Sequence, residues 1–164
     1  MSFLSSFSPL LYVQVSPEHL IVRDVKAGVE ISEPAQVAIT QGAKATIAGV
    51  GLQAASAAAA GGPVALVKPF AHPRSLVSDF TVAEQLLNAF IRRVRRNTFL
   101  QLPPRVVVHL LGNPAGGFTQ VEVRAFIEMA RGTGAFEVVI REGRPLTDQE
   151  LLAGNFSAGG KVLS

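Results

Sequence analysis

Residues 10–25 read LLYVQVSPEHLIVRDV, two alternating apolar runs on either side of Ser16-Pro17-Glu18. Alternation with a period of two, broken by a proline turn, predicts strands over 10–15 and 19–25 joined as a hairpin. A third stretch over 28–39 follows the Ala27-Gly28 turn and extends this into an antiparallel meander. A strand near 46–50 leads into an alanine-rich helix over 52–60. After a Gly-Gly-Pro turn, PVALVKPF (63–70) predicts a further strand, which ends at the His72-Pro73 turn.

The period then changes. Val82, Leu86, Leu87, Phe90, Ile91 and Val94 recur at helical spacing and predict an amphipathic helix. Its last turn carries Arg92, Arg93, Arg95 and Arg96, where cations favour the negative end of the helix dipole by roughly 0.3–1 kcal/mol each. RVVVHLL (105–111) is apolar without interruption, as in a strand buried on both faces. The loop GNPAGGF, a helix over 120–131 and a strand over 136–140 follow. Strand, helix and strand at this spacing form a βαβ unit with parallel strands and a right-handed crossover. A short helix over 147–153 and a tail, NFSAGGKVLS, expected to fray, end the chain.

The pattern therefore predicts an α/β fold: a mixed sheet made of an antiparallel meander plus a βαβ unit, with helices packed on it. The expected division is a single domain over 1–145 and a helix with a loose tail over 146–164. Thr81-Val-Ala-Glu84, Thr119-Gln-Val-Glu122 and Thr147-Asp-Gln-Glu150 each match a capping box and predict three helix starts.

Composition narrows the chemistry. Of 164 residues, 48% are hydrophobic and 16% charged, enough for an ordinary core. The absence of cysteine excludes disulfides and thiolate metal sites. A net charge of +3 is too small and too dispersed to indicate a nucleic-acid partner. The uncharged stretch 45–67 is long enough to span a bilayer, but its alanine richness and its Gly49, Gly51, Gly61, Gly62 and Pro63 argue for short soluble elements instead. The N-terminus has no positive residues and does not read as a secretory signal.

His19, His72 and His109 are far apart and lack metal-ligand spacing with carboxylates, so no metal is expected. His109 reads as a satisfied core or sheet-end histidine. Gly112-Asn-Pro-Ala-Gly116-Gly117 sits between a strand and a helix, where an anion can be held. It matches neither the Rossmann spacing nor a P-loop, and it lacks lysine, so a flexible turn is the better reading.

Four segments occur in a telling order: ISEPAQVAI (31–39), SDFTVAEQLLNAFIRRV (78–94), PPRVVVHLL (103–111) and TQVEVRAFIEMARGTGAFEVVIREG (119–143). Together they resemble the N-terminal half of the bacterial actin MreB family over roughly residues 1–145. The resemblance implies an actin-like, ribonuclease-H-like subdomain. It also implies a family function of ATP-dependent filament formation beneath the inner membrane, in the service of rod shape and wall synthesis.

The departures from that family set the functional expectation. The family's Asp-x-Gly-Thr phosphate turn falls on Gln14, Val15, Ser16 and Pro17. The carboxylate is gone, serine replaces the permissive glycine, and Pro17 has no N–H to offer a phosphate. Glu18 adds negative charge beside the same place. Glu122 matches the family's water-positioning glutamate, yet the capping box already accounts for it. The second lobe of the actin cleft is not expected within this chain. Phe3, Leu4 and Phe7 match a segment that in some relatives contacts membrane, but no cations accompany them.

The expectation is thus a cytoplasmic MreB-like half-domain, close to the inner membrane face. It would have no catalytic residue, nucleotide site or cofactor, and would scaffold through self-association or a full-length actin-like homologue. Peripheral membrane contact would be weak, and no nucleic acid would bind. The alternatives are a nucleotide-binding protein or ATPase using Gly112–Gly117 and Glu122, and a degenerate remnant without activity.

Overall fold

The computed structural model describes residues 6–164. Among the described residues, nine strands form two sheets. In the larger, β1 (Leu10–Val15), β2 (His19–Asp24), β3 (Val29–Pro34), β7 (Arg105–Leu110), β8 (Glu137–Gly143) and β9 (Gly160–Val162) lie in the order β3-β2-β1-β7-β8-β9. In the smaller, β4 (Val37–Thr40) is flanked by β5 (Ile47–Val50) and β6 (Val64–Val67). The helices are α1 (Leu52–Ala59), α2 (Phe80–Val94), α3 (Gln120–Gly132) and α4 (Asp148–Leu152).

The meander β1-β2-β3 is antiparallel, whereas β1, β7 and β8 run parallel. This is the mixed sheet that the pattern predicts, with α3 as the crossover between β7 and β8. Burial on both faces explains the unbroken apolar run of β7. Val106, Val108 and Leu110 join Leu11, Val13 and Val15 in the main core with Leu86, Leu87, Phe90 and Phe126. Val107 joins Leu10, Tyr12 and Val139 in a second core with Leu146 and Leu151.

Three expectations are corrected. The stretch 28–39 is not one strand. Pro34 ends β3, the chain turns at Ala35-Gln36 with the Gln36 N–H donating to the Pro34 carbonyl at 3.0 Å, and β4 then joins the smaller sheet. Proline cannot donate to a ladder, so it marks the break. The second helix begins at Phe80, and its cap is Asp79, whose Oδ1 accepts from the Val82 N–H at 3.0 Å. Asp79 is a strong cap two residues earlier, which leaves Thr81 inside the helix. The boxes at Thr119 and Thr147 form as expected.

The third correction concerns the tail, which is not frayed. Its strand β9 pairs antiparallel with β8, and the Ile140 N–H donates to the Ser164 carbonyl at 2.9 Å. Gly143 faces Gly160 across this pair, and a Cβ on Gly143 would lie 2.5 Å from the Gly160 Cα. The glycines that suggest looseness in sequence are what allow the two backbones to meet.

The small sheet is fixed to the large one by Glu33. Its carboxylate takes both guanidinium arms of Arg93, at 3.1 and 2.5 Å, and the Leu52 N–H at 3.0 Å. One side chain thereby joins β3, α1 and α2. The Arg93 guanidinium holds the Glu33 carboxyl below its usual range despite burial. Gly51, at φ 59°, is required beneath it, since any Cβ would overlap the Glu33 carboxylate.

Among the described residues, no helix is long and apolar enough to cross a membrane. Phe7 is 71% exposed. Phe3 and Leu4 lie outside the described residues.

Candidate functional site

The parallel strands β1 and β7 end side by side, with Val15 opposite Leu110. Three segments meet at this end of the sheet: the hairpin turn 16–19, the loop 111–118 and the segment 70–77, which follows β6 of the smaller sheet. Together they wall a cleft of about 630 Å³. Pro17, Arg74, Gly112, Gly117, Thr119 and Glu122 are among its lining. The topology thus brings Pro17, the glycine loop and Glu122 to one place. Gln14 and Ser16 do not line it.

The hairpin turn is closed on itself. The Ser16 N–H and hydroxyl donate to the His19 carbonyl at 3.0 and 3.1 Å, and the His19 N–H donates to the Ser16 Oγ at 3.0 Å. Pro17 has no N–H. The donors at Ser16 and His19 are spent within the turn, so little remains to grip a phosphate. Glu18 is held by Lys68 at 2.8 Å, and its carbonyl accepts from the Ala35 N–H at 3.0 Å. This pair is exposed and adds little to stability.

Glu122 stands at the first turn of α3 and is buried. Its Oε2 accepts from the Thr119 N–H at 2.7 Å and from the Thr119 hydroxyl at 2.8 Å. Its Oε1 accepts from the Leu76 N–H at 2.7 Å. Burial pushes the carboxyl upward, but these donors, with the Ser75 hydroxyl, outweigh it and hold the group below the usual carboxylate range. Glu122 is therefore an ionised carboxylate with both oxygens engaged. It caps α3 and ties the 75–76 segment to it.

The tie to Leu76 was not foreseeable from the capping pattern, which specifies only the Thr119 contacts. A backbone N–H arriving from 46 residues away leaves no periodic mark in sequence. The wall residue Arg74 was likewise hidden, since His72-Pro73 signals a turn and nothing about where the turn packs. Within that turn, the Arg74 N–H donates to His72 Nδ1 at 3.1 Å.

His109 lies on the opposite face of β7 from the main core and is fully buried. Its Nε2 donates to the Gly143 carbonyl at 2.8 Å, which leaves Nδ1 to accept from the Tyr12 hydroxyl at 2.7 Å. The Tyr12 oxygen in turn accepts from the Leu146 N–H at 3.1 Å. This is the satisfied core histidine that the sequence implies, and it serves the second core rather than the cleft.

Burial pushes the His109 pKa below its ordinary value, so the unfolded chain binds its proton more readily than the fold does. Stability from this group is complete above the ordinary histidine value of about 6.5 and declines as pH falls toward the depressed one. Urea midpoints between pH 8 and pH 5 should fall with a contribution of up to about 1.4 kcal/mol per pH unit from this residue. A His109→Leu variant should show a flatter profile. An identical slope in the variant contradicts the assignment.

The arrangement of a meander, a βαβ unit and a cleft at the strand ends can be compared with known proteins. The MreB/Mbl protein family matches over residues 17–147. This chain belongs to the MreB/Mbl family. MreB of Escherichia coli K12, a cell shape-determining protein, is 34% identical over 144 residues, which is 85% of this chain and 40% of that protein. MreB of Haemophilus influenzae is 34% identical over 139 residues, covering 83% of this chain and 38% of that protein. The chain thus spans about 40% of the length of these MreB relatives.

Solved structures agree on the fold. MreB5 of Spiroplasma citri bound to AMPPNP superposes with a TM-score of 0.64 and 19% identity, over 82% of this chain and 38% of that one. A non-polymerising MamK mutant bound to AMPPNP gives a TM-score of 0.64 and 14% identity, over 82% and 41%. The likeness establishes the actin-like α/β fold of this MreB-family chain.

Proposed function

We propose that this MreB-family chain acts as a scaffolding element in cell shape or envelope assembly, working through protein association and without hydrolysing ATP. The observation that carries the reading is the commitment of the cleft's own groups. Pro17 offers the cleft no N–H, the neighbouring donors of Ser16 and His19 are spent within the hairpin turn, and both oxygens of Glu122 are engaged by backbone N–H groups. Phosphoryl transfer depends on positioned donors and a group free to orient water, and all parts must be in place together. The partner in this reading is a second copy or a full-length actin-like homologue, met in the cytoplasm or at the inner membrane face.

Light scattering on the purified chain, alone and with full-length MreB, tests the association. A species heavier than the monomer that grows with concentration, or a mixed species with MreB, is the expected result. A strict monomer that ignores MreB contradicts the proposal.

A second reading is favoured by one observation: Gly112, Gly117, Arg74 and Glu122 line the same cleft. In that reading the loop and Arg74 hold a nucleotide phosphate, and Glu122 is released from Leu76 to meet water.

A further inference from the structure

A second cavity, of about 440 Å³, lies where the last turn of α2 meets the 132–134 turn after α3. Asn88, Arg92, Arg95, Arg96, Gln101 and Thr133 are among its lining, which includes no acidic residue. From the sequence, the arginines at this helix end serve the dipole of α2. The structure divides them. Arg93 belongs to Glu33. The other three converge on the cavity.

Arg95 is the informative one. It is only 8% exposed, and its Nη2 donates to the Leu102 carbonyl at 2.6 Å. Its Nε is buried with no hydrogen-bond partner among the described residues. A buried donor left unmet is costly, and such groups are rare in folded proteins. Arg92 and Arg96 are exposed, and among the described residues neither side chain has a hydrogen-bond or ion-pair partner.

Charge accounting leaves the site positive. The C-terminal ends of α2 and α3 supply about half a negative charge each. One carboxylate, that of Glu84, packs against Gly132 of the lining. These offset two of the three arginines, and one remains in surplus. Dipole compensation alone does not require three.

We propose that this cavity binds a phosphate group carried on a small organic moiety. Guanidinium forks match the oxygens of phosphate, and several can share one tetrahedral anion. The volume exceeds what a bare ion needs and falls in the ordinary range for small ligands, about 300–1,000 Å³. The anion supplies the counter-charge that Arg92 and Arg96 lack and gives the Arg95 guanidinium a strong acceptor. The site is separate from the Glu122 cleft and does not depend on how that cleft is read. A free phosphoester and an anionic lipid headgroup share this chemistry.

The test is a titration of the full chain with inorganic phosphate, followed by amide NMR, against sodium chloride at equal ionic strength. Saturable shifts at Arg95, Arg96 and residues 132–134 are expected, weakened at least tenfold in an Arg92→Ala/Arg96→Ala variant. Both positions are exposed, so the variant should fold, which its spectrum reports directly. Sedimentation with phosphatidylglycerol vesicles, against phosphatidylcholine, separates the sources. Binding to the anionic vesicles that the double variant loses identifies a lipid headgroup, and phosphate shifts without vesicle binding identify a soluble phosphoester. No saturable shift and no anionic vesicle binding, or either one unchanged in the variant, overturns the proposal.

Discussion

Replacing Arg141 with methionine is expected to destabilise the chain by about 3–5 kcal/mol, the largest effect of any single substitution considered. Arg141 is fully buried on β8. Its Nε donates to the Phe156 carbonyl at 2.9 Å, its Nη1 to the Arg144 carbonyl at 2.6 Å and its Nη2 to the Ala158 carbonyl at 3.0 Å. Three backbone acceptors from one connection therefore depend on one side chain. Methionine fills much of the volume but leaves three part-buried carbonyls without their donor. Urea denaturation measures the loss. Hydrogen exchange should show residues 155–164 opening first, because these bonds position β9 against β8. A loss below about 1 kcal/mol with the tail still protected contradicts this role.

Replacing Glu122 with alanine is expected to cost about 2–4 kcal/mol. The alanine removes the reciprocal half of the capping box and orphans the Leu76 N–H, which is buried against the carboxylate. Glutamine should cost about half as much. Its amide oxygen still serves one backbone N–H, but its NH₂ faces the other donor. The order wild type, glutamine, alanine should appear in urea midpoints. A residue kept for catalysis alone would show no such order, since neither change would then disturb the fold. Equal stability of all three proteins contradicts the structural assignment.

Local chemistry was legible where one short segment carries the whole signal. Thr119 and Glu122 form their box, as do Thr147 and Glu150, because each needs only four consecutive residues. The unbroken run of β7 also told its story, since two-sided burial removes polar positions whatever the neighbours are. Signals that depend on partners far along the chain were lost. The apolar pattern of residues 28–39 does not show that the strand changes sheets, because apolar residues suit either one. Pro34 was the available clue, and the turn after it is what the structure adds. The tail read as loose because Gly159 and Gly160 usually mean freedom. Their role depends on Gly143 and Arg141, 16 to 19 residues earlier, which sequence order cannot pair. At Thr81, two caps competed two residues apart, and aspartate took the position.

The cleft followed the same division. That Pro17 offers no N–H was legible, since proline lacks one in any fold. The walls were not, because Arg74 and the Leu76 N–H arrive from a segment that sequence marks only as a turn. The closed hydrogen bonding of Ser16 and His19 adds the physical reason why a serine can stand in that turn. It satisfies the hairpin locally, where a phosphate-binding turn must hold its donors open.

Isothermal titration of the purified chain with ATP and Mg²⁺ decides whether the cleft holds a nucleotide. No saturable heat is expected at millimolar nucleotide, for the wild-type chain and for Glu122→Gln alike. Saturable binding to the wild-type chain that the Glu122→Gln substitution abolishes would contradict that expectation.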